Sequence, residues 1–404
     1  MKILFLGSLI SAESAEELNR NSREKASVAP VNYETMLVKG LAENGHTVEA
    51  VSVPAVAAYP HSIYKRMPRK EERLACGVTV KWLPFINVQI LKQWTVKRSA
   101  AKALRRWLKD NRDVTDKMVM MYSVYPPYSA PAVKLCKKYG CHLNAVITDL
   151  PEYMYAWKKS RGLKGWYAAR LSRTMLDLQG ESDSYVLFTE KMAARMGVEE
   201  KPYLVSEGFS DVHVYDGLPE ADKYPVRTVV YAGNLSKLYG IRPLVDAFMK
   251  THGDYELHLY GAGPDVPYIQ ECARRDGRIK FFGRVERREV LTALKRAHLL
   301  VINKPTADDY SNYSFSSKIL ECMTSGTPVL MTRVGGMPTE YYDYAYFWDD
   351  ESVEGLSQQL QAVLDKPADE LNEMGEKARA FGVQEKDYLP QCKKISDFLE
   401  KTVQ

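Results

Sequence analysis

The amino-acid sequence predicts an α/β protein made of two Rossmann-like, doubly wound parallel-sheet domains that face a cleft. Three observations support this prediction. The chain has 404 residues, about two to three times the length of a typical single domain. Short apolar runs alternate with helical patterns in both halves, as in parallel sheets with right-handed helical crossovers. A segment rich in Asp, Gly, Pro and Lys, residues 212–226, separates the halves.

The first half opens with a strand, a helix and a second strand. The apolar run KILFLGS is followed by NYETMLVKGLAENGH, in which Tyr33, Leu37 and Leu41 recur at helical spacing. Asn44-Gly45 ends that helix, and the β-rich segment TVEAVSVP follows. Three later runs have the continuous apolar character of buried parallel strands: KMVMMYSV, HLNAVITDL and SYVLFTE.

The second half repeats this alternation independently. Strands are predicted at RTVVYAGN, YELHLYGAG, RIKFFGRV, AHLLVINK and GTPVLMT, and helices at LVDAFMK, YIQECARR, EVLTALKRA and SSKILECMTS. We therefore predict one domain over residues 1–212 and a second over residues 213–387. A final helix, residues 388–404, is expected to pack back on the first domain.

Composition and charge limit the class of protein. Hydrophobic residues make up 45% and charged residues 26% of the chain, which is ordinary for a globular protein. No apolar run reaches the length of a membrane span, and MKILFLGSLI is interpreted as a buried strand rather than a signal peptide, so a cytoplasmic location is expected. The six cysteines are scattered without a CxxC pair, and no metal site is expected.

The strongest chemical pattern is YSFSSKILECMTSGTPVL, residues 313–330. Ser314, Ser316 and Ser317 precede a helix whose first amides and positive dipole end favour a phosphate. Lys318 adds a cation, and Glu321, one turn further on, can accept hydrogen bonds from two ribose hydroxyls. An ordinary capped helix with a solvated Glu321 is the alternative interpretation.

This pattern resembles that of the retaining glycosyltransferases of the GT-B fold, family 4. Members have a Ser-Lys or Gly-rich stretch, a helix with a ribose-binding glutamate, and a small-Gly-x-Pro-Val turn before a strand. Here these correspond to Ser317-Lys318, Glu321 and residues 325–329. VVYAGNLSKLYGIRPLVDAF, LYGAGP and FFGRV are similar to the family's strand ends that hold the donor diphosphate and nucleobase. The resemblance covers residues 228–329 and is weaker in the first half.

The resemblance implies a bound nucleotide-sugar donor, with a UDP-sugar favoured over a GDP-sugar, and no further cofactor. It assigns the donor to these residues: Gly233, Asn234, Gly261, Gly263, Arg284, Val285, Ser314, Phe315, Ser316, Ser317 and Glu321.

Three positions depart from the family pattern. The carboxylate expected eight residues before Glu321 is Tyr313, the arginine expected after the first strand's glycine is Asn234, and the lysine expected before Gly240 is Tyr239. The cations for the diphosphate must then be Lys237, Lys318 or both. A plain surface lysine is the alternative interpretation of Lys237.

In the first half, Gly7 and Ser8 end the first strand and are assigned to the acceptor side. The polar stretch from Ser8 to Val31 is expected to close over the acceptor or to be disordered. Asp149, at the end of AVITDL, matches the family position that faces the transferred sugar. A turn or capping aspartate before Pro151 is the alternative.

Together these observations predict a retaining hexosyltransferase in bacterial-type polysaccharide or glycolipid assembly, with Asp149, Lys237 and Lys318 as catalytic residues. The leaving phosphate is expected to take the acceptor's proton, and the chain has no Asp-x-Asp metal motif. A nucleotide-sugar epimerase of the same fold and a nonenzymatic polyanion-binding protein are the alternatives. An NAD-dependent enzyme is disfavoured because GAGPDV breaks the GxGxxG pattern.

The charge is distributed unevenly along the chain. Residues 1–200 hold 31 Lys and Arg against 20 Asp and Glu, and residues 65–173 hold 24 against 7. The segment MYAWKKSRGLKGWYAARLSRTM interleaves Trp and Tyr with cations, which is typical of contact with an anionic membrane or acceptor. We expect a carbohydrate or lipid-linked acceptor, a peripheral position at the inner face of the membrane, and no nucleic-acid partner.

Overall fold

The computed structural model of the chain describes residues 1–26, 29–150, 153, 162–219, 222–307 and 309–403, without the side chains of residues 162–168. The chain divides into two compact units, Met1–Glu207 with Tyr388–Gln404, and Gly208–Asp387. The first change of unit falls between Glu207 and Gly208, a few residues before the junction at residue 212 that the sequence predicts.

The first unit is built around an eight-stranded sheet with the order β10-β9-β8-β7-β1-β2-β5-β4. All its strand pairs are parallel except β4 with β5, and the short strands β3 and β6 form a separate antiparallel pair. Its elements are β1 (Lys2–Gly7), α1 (Ala12–Arg20), α2 (Ala29–Glu43), β2 (Thr47–Ser52), β3 (Arg66–Met67), β4 (Glu71–Arg73), β5 (Thr79–Trp82), β6 (Phe85–Ile86), α3 (Gln89–Asp110), β7 (Lys117–Tyr122), α4 (Pro126–Tyr139), β8 (His142–Ile147), α5 (Gly162–Gln179), β9 (Ser184–Leu187), α6 (Lys191–Met196) and β10 (Tyr203–Val205).

The second unit contains a six-stranded, fully parallel sheet with the order β13-β12-β11-β14-β15-β16. Its elements are β11 (Arg227–Asn234), α7 (Ile241–Met249), β12 (Tyr255–Ala262), α8 (Val266–Arg275), β13 (Ile279–Gly283), α9 (Arg287–Arg296), β14 (Leu299–Ile302), α10 (Ser317–Thr324), β15 (Val329–Met331), β16 (Tyr346–Phe347), α11 (Val353–Leu364) and α12 (Ala368–Gln384). Short 3-10 turns occupy Val212–Tyr215, Lys237–Tyr239, Asp309–Asn312 and Thr339–Tyr344.

Helices cover both faces of the second sheet, because consecutive apolar residues of each strand enter opposite cores. Val229 of β11 packs into a cluster with α7, α8 and α11, whereas Val230 packs into a second cluster with α9 and α10. A strand that is buried on both faces is apolar at successive positions, which explains the continuous apolar runs in the sequence. The prediction of two doubly wound parallel-sheet domains is confirmed.

The last helix, α13 (Tyr388–Val403), packs against α2 of the first unit. The close approach depends on Gly40, where an added Cβ would lie 2.4 Å from the Cys392 sulfur. The hydroxyl of Tyr388 donates a hydrogen bond of 3.0 Å to Glu43, and the imidazole of His46 lies 2.5 Å from the hydroxyl of Ser396.

The polar stretch after β1 contains a helix that the sequence analysis missed. Helix α1 is capped by Ser11, whose hydroxyl accepts a hydrogen bond from the Ser14 amide. The carboxylate of Glu72, in β4, accepts hydrogen bonds from the Ser11 amide and from the Ser14 hydroxyl, both of 2.8 Å. An N-cap Ser11, an acidic Glu13 in the first turn and a basic Arg20 in the last turn are local helix signals that the sequence analysis overlooked.

Candidate functional site

The order in which the chain adds strands to the second sheet reverses between β11 and β14. The candidate donor site lies at this switch point. The chain adds β12 and β13 on one side of β11 and then returns to place β14 on the other side. At such a point the loops after the two strands separate and leave a ligand crevice at their carboxyl ends. The loop residues Asn303 and Gly240 meet there, with the Asn303 side-chain amide donating to the Gly240 carbonyl at 2.8 Å.

Two glycines at the end of β12, Gly261 and Gly263, are required by backbone packing. Gly261 has φ +134°, and a Cβ there would lie 1.8 Å from the carbonyl oxygen of Gly233. A Cβ on Gly263 would lie 2.1 Å from the carbonyl oxygen of Leu235. The two loops are also joined by hydrogen bonds from the Leu235 amide to the Ala262 carbonyl and from the Asp265 amide to the Leu235 carbonyl. Gly233, Gly261 and Gly263, predicted to bind the donor, thus shape the crevice wall.

Lys318 and Lys237, the predicted diphosphate ligands, both lie at the carboxyl end of β11. Helix α10 begins at Ser317 after the extended N-cap Ser316, so its first amides are available to an anion. The ammonium group of Lys318 donates a 2.7 Å hydrogen bond to the carbonyl of Ala232, within β11. Lys237 opens the 3-10 turn that follows β11 and its side chain is exposed. The structure therefore brings both cations to one strand end.

The loop before α10 brings a further lysine to the site. Ser314 is buried and its hydroxyl accepts a 2.6 Å hydrogen bond from the ammonium group of Lys304, which follows β14. Sequence reasoning missed Lys304, which precedes Ser314 by ten residues in the connection from β14 to α10, because the folded path of that connection decides which of its side chains meet. The ring of Phe315 is buried 5.1 Å from that of Tyr341, so the predicted donor contact of Phe315 is restricted to its backbone.

The Glu321 carboxylate, predicted to hold the ribose, lies next to an arginine. Its Oε2 atom is 3.3 Å from Nη2 of Arg287, the first residue of α9, and its side chain is 30% exposed. The hydroxyl of Tyr215 donates a 2.6 Å hydrogen bond to the Glu321 carbonyl. These contacts orient α10 and its carboxylate. Arg287 carried no local signal in the sequence, since it is one of several exposed arginines after FFGRV.

An aromatic platform flanks the end of β13, beside the predicted base-binding residues Arg284 and Val285. The ring of Phe282 stacks on that of Tyr260, with centroids 4.6 Å apart and planes 5° apart, and Phe282 remains 44% exposed. The β13 strand ends at Gly283, which has φ +71°.

Asn234, predicted to bind the donor, is the last residue of β11 and its side chain is exposed. The backbone carbonyl of Asn234 accepts a 2.9 Å hydrogen bond from the Tyr231 hydroxyl.

In the first unit, the predicted acceptor residues Gly7 and Ser8 cover a buried carboxyl group that the sequence analysis missed. Glu34 of α2 is fully buried, and its carboxyl oxygens accept hydrogen bonds from the Ser8 amide at 2.8 Å and the Ser8 hydroxyl at 2.5 Å. A Cβ on Gly7 would lie 2.3 Å from Glu34 Oε2. Burial raises the pKa of Glu34 to about 8, against the opposing effect of the Ser8 and Leu9 hydrogen bonds.

The switch point of the first sheet lies between β1 and β7, and Asp149 lies close to it, after β8. The hydroxyl of Tyr122 lies 3.3 Å from that of Thr148, directly before Asp149. Burial raises the pKa of Tyr122, and the charges of Glu34 and Asp149 act in the same direction. The carboxyl groups of Glu34 and Asp149 therefore both lie near enough to Tyr122 to influence its pKa.

The described part of the chain contains neither a cluster of metal ligands nor a membrane-spanning helix. Among its side chains there is no group of three or more His, Cys, Asp or Glu arranged to hold a metal ion. Its helices include none with the length and apolar character needed to cross a bilayer. The basic aromatic segment predicted to contact a membrane spans residues 154–175, of which residues 154–161 and the side chains of residues 162–168 lie outside the described part of the chain.

The second unit can be assigned to a class by comparison with known proteins. Residues 226–366 match the family model of the glycosyl transferases group 1, and the chain has the two-sheet GT-B fold of glycosyltransferases of known structure. The resemblance to family 4 of the GT-B enzymes is thereby confirmed.

Individual relatives agree with this assignment. The chain is 29% identical over 170 residues to N-acetyl-alpha-D-glucosaminyl L-malate synthase of Bacillus anthracis, a match that covers 40% of this chain and 41% of that protein. Sucrose-phosphate synthase of Thermosynechococcus elongatus has the same fold, with TM-score 0.64 and 14% identity over 98% of both chains. The Anabaena protein HepE in complex with UDP superposes with TM-score 0.63 and 15% identity, over 99% of this chain and 100% of that one.

Proposed function

We propose that this protein is a glycosyltransferase that moves a hexose-type sugar from a nucleotide-diphosphate sugar to an acceptor hydroxyl. The observation that carries the proposal is the convergence of Lys318, Lys237 and the first amides of α10 at the carboxyl end of β11, inside the group 1 domain. A diphosphate leaving group needs cations and amide donors fixed before the reaction begins.

The proposed chemistry is retaining transfer. The bond between the anomeric carbon and the donor phosphate oxygen breaks as the acceptor oxygen forms its bond to the same face of the sugar. A phosphate oxygen of the leaving diphosphate takes the acceptor's proton, so no separate nucleophile is required. The lysines and amides stabilise the charge that develops on the diphosphate, which is where most of the rate enhancement would arise. Asp149 is proposed to face the transferred sugar.

We propose a UDP-sugar as the donor. The support is the likeness in fold to HepE, which was solved with UDP, together with the exposed Phe282 ring beside the strand end of β13. An aromatic face of this kind can stack on a nucleobase. The residues that the family resemblance assigns to the donor are all in the second unit, and Gly7, Ser8 and Asp149 are in the first.

The proposed acceptor is a carbohydrate or lipid-linked sugar in polysaccharide or glycolipid assembly at the inner face of the membrane. The excess of cations in the first half of the chain supports an anionic acceptor or surface. An epimerase of the same fold would convert the donor without an acceptor, and NMR of the donor incubated alone separates the two activities. Salt-sensitive binding to bare RNA would instead support the polyanion-binding alternative.

A divalent cation is proposed to be dispensable, because lysine ammonium groups and helix amides would hold the diphosphate. Activity is expected to survive treatment with EDTA and dialysis. Loss of all transfer after EDTA, with recovery on addition of manganese, would contradict this proposal. Magnesium and manganese titrations of the dialysed enzyme provide the matched comparison.

Replacing the Lys318 side chain tests the central proposal. Lys318→Ala is expected to lower kcat for sugar transfer by about 10²- to 10³-fold, the usual effect of removing one preorganised charge-stabilising donor. The melting midpoint should change little, because Lys318 is exposed and its one protein hydrogen bond is to the Ala232 carbonyl.

A matched control is Lys250→Ala, which removes an exposed lysine that pairs with Glu354 on the same unit. The control variant should retain wild-type kinetics. Wild-type kcat in Lys318→Ala would eliminate the proposed role of Lys318, and an equal loss in both variants would point to a general effect of charge.

A further inference from the structure

The first turns of α3 expose large apolar side chains to solvent. Ile90 is 71% exposed, Leu91 48% and Trp94 52%. Large apolar side chains on a soluble surface are ordinary when they are isolated, but a contiguous group of them marks an interaction site. These three residues are contiguous, because positions three and four apart lie on one face of a helix.

This face of α3 is not the face that packs on the protein. Val96, Ala100 and Leu104 are completely buried and form the core-facing stripe. At 100° per residue, Ile90 lies about 80° and Trp94 about 120° from the centre of that stripe. The exposed apolar side chains therefore do not contribute to packing α3 against the core of the protein.

The segment beside α3 extends the apolar area. Tyr59 forms a bridge with Val88, the residue before α3, and Ile63 is 66% exposed. The chain around Ile63 is held by Asn87, whose side-chain amide donates to the carbonyl of Ala57 at 2.8 Å and to that of Tyr64 at 2.9 Å. The apolar side chains thus rest on a hydrogen-bonded, ordered support.

Basic residues follow the exposed apolar residues along the solvent-facing side of α3. The guanidinium group of Arg98 lies 3.6 Å from the ring centroid of Trp94, one turn further along the same face. Asp110 is the one acidic residue of the helix. We call the following set the α3 surface: Ile63, Val88, Ile90, Leu91, Trp94, Lys97, Arg98, Lys102, Arg105 and Arg106.

We propose that the α3 surface docks this protein on an anionic lipid bilayer. Ile90, Leu91 and Ile63 would enter the boundary between headgroups and acyl chains, and Trp94 would lie at the headgroup level, where amphipathic rings concentrate. The cations beyond them would contact anionic headgroups. This proposal deepens the membrane-located function given above, but it depends on α3 and not on the donor site.

A second copy of the chain is a poorer occupant of this surface. A twofold interface would place the α3 surface against itself, and its exposed cations would then face one another with Asp110 as the one carboxylate of the helix. Like charges in direct opposition disfavour such a contact. An anionic bilayer satisfies both the apolar and the cationic parts of the surface.

Vesicle sedimentation of the full chain tests the proposal. The protein is expected to sediment with phosphatidylcholine vesicles that contain phosphatidylglycerol, and weakly or not at all with phosphatidylcholine alone. Ile90→Ser with Leu91→Ser, and separately Arg98→Glu with Lys102→Glu, should each lower the partition coefficient. The charge variant should lose at least about twentyfold, since each cation near the surface contributes about fivefold.

The depth of Trp94 provides a second readout. Brominated lipids should quench part of the tryptophan fluorescence of the wild type, and Trp94→Phe should remove that quenched part while preserving vesicle binding. The control variants are Val383→Ser and Arg275→Glu, which change exposed apolar and basic residues of the second unit. They should bind vesicles as the wild type does.

Several outcomes would overturn the proposal. The first is equal binding to neutral and anionic vesicles, and the second is an unchanged partition coefficient in both α3 variants. The third is a wild-type dimer in light scattering that becomes a monomer in the α3 variants, because that result would assign the surface to a second copy of the chain. Transfer to a soluble acceptor analogue, measured without vesicles, separates this test from that of the proposed function. It should be unaffected in the α3 variants whether or not the bilayer proposal holds.

Discussion

The Glu34 carboxyl group, at the first sheet's switch point, has a pKa raised by burial. Its side chain occupies the space that a Cβ on Gly7 would need, and it holds the Ser8 amide and hydroxyl. Burial disfavours the ionised form of this carboxyl group. This residue fixes the loop that follows β1, which is the proposed acceptor side, and its protonation is coupled to that geometry.

Glu34 is expected to make stability depend on pH. Its pKa is raised from 4.5 to about 8 in the folded chain, so the folded state holds a proton that the unfolded state releases between these values. Stability from this group is complete below the unfolded pKa and is lost as pH rises through the folded pKa, a difference on the order of 5 kcal/mol. The melting midpoint, measured by thermal unfolding from about pH 5 to about pH 9, should fall as pH rises through the folded-state pKa of Glu34.

Glu34→Gln supplies the matched variant for that measurement. The amide is nearly isosteric with the protonated carboxyl group but has no titrating proton in this range. The fall in melting midpoint with rising pH should therefore be smaller in Glu34→Gln than in the wild type. Parallel pH profiles for the two proteins would show that Glu34 does not retain its proton on folding.

At the scale of secondary-structure elements, the donor site depends on how the ends of β11 and β12 meet. The two strands remain paired as far as Asn234 and Ala262, and the loops beyond them continue to exchange backbone hydrogen bonds. Glycine is needed where one backbone approaches the other too closely for a side chain. The Gly-x-Gly pattern at 261–263, which resembles a nucleotide-binding signature, is thus also a packing requirement of the sheet.

Gly261→Ala is expected to destabilise the protein by at least about 2 kcal/mol, because a left-handed φ and a backbone overlap act together. The overlap cannot be relieved by a side-chain movement, since the atom met is the Gly233 carbonyl oxygen. Denaturant unfolding measures the change. Gly277→Ala is the control: no atom lies within 4 Å of its added Cβ, and its stability should change by less than about 0.5 kcal/mol. Equal stabilities of the two variants would refute the packing explanation.

At the scale of the whole molecule, the chain contains two units with separate cores and opposite charge. The clusters around Val229 and Val230 belong to the second unit alone. The excess of Lys and Arg is confined to residues 1–200, and residues 201–404 carry 25 Lys and Arg against 31 Asp and Glu. Separate cores allow the two units to respond differently to a ligand that one of them binds.

Calorimetry with nucleotides tests this separation. UDP at about a hundred times its dissociation constant should stabilise the Gly208–Asp387 unit by about 2.7 kcal/mol and raise its unfolding transition, while the transition of the other unit moves less. GDP should produce a smaller shift. Lys318→Ala should reduce the UDP effect, whereas Lys250→Ala should not. A larger shift with GDP than with UDP would reject the proposed donor.

The sequence by itself determined the layered α/β architecture, the positions of the major strands and helices, and the family of the second half. It did so because hydrophobic periodicity, glycine turns and the motif order from Thr228 to Val329 are local properties of the chain. The motif also placed Lys318 and Glu321 on a short helix.

Only the tertiary structure decided which side chains meet. Three pairs join separate elements: Glu72 with Ser11, Arg287 with Glu321, and Glu34 with Ser8. A fourth pair, Lys304 with Ser314, forms within the connection from β14 to α10. Their contacts arise from strand order and from loops meeting at a switch point, which no local pattern encodes. Burial is also decided by the tertiary structure. The pKa of Glu34 is raised because the fold buries its carboxyl group, and Trp94 is exposed because the rest of the described chain covers only part of its side chain.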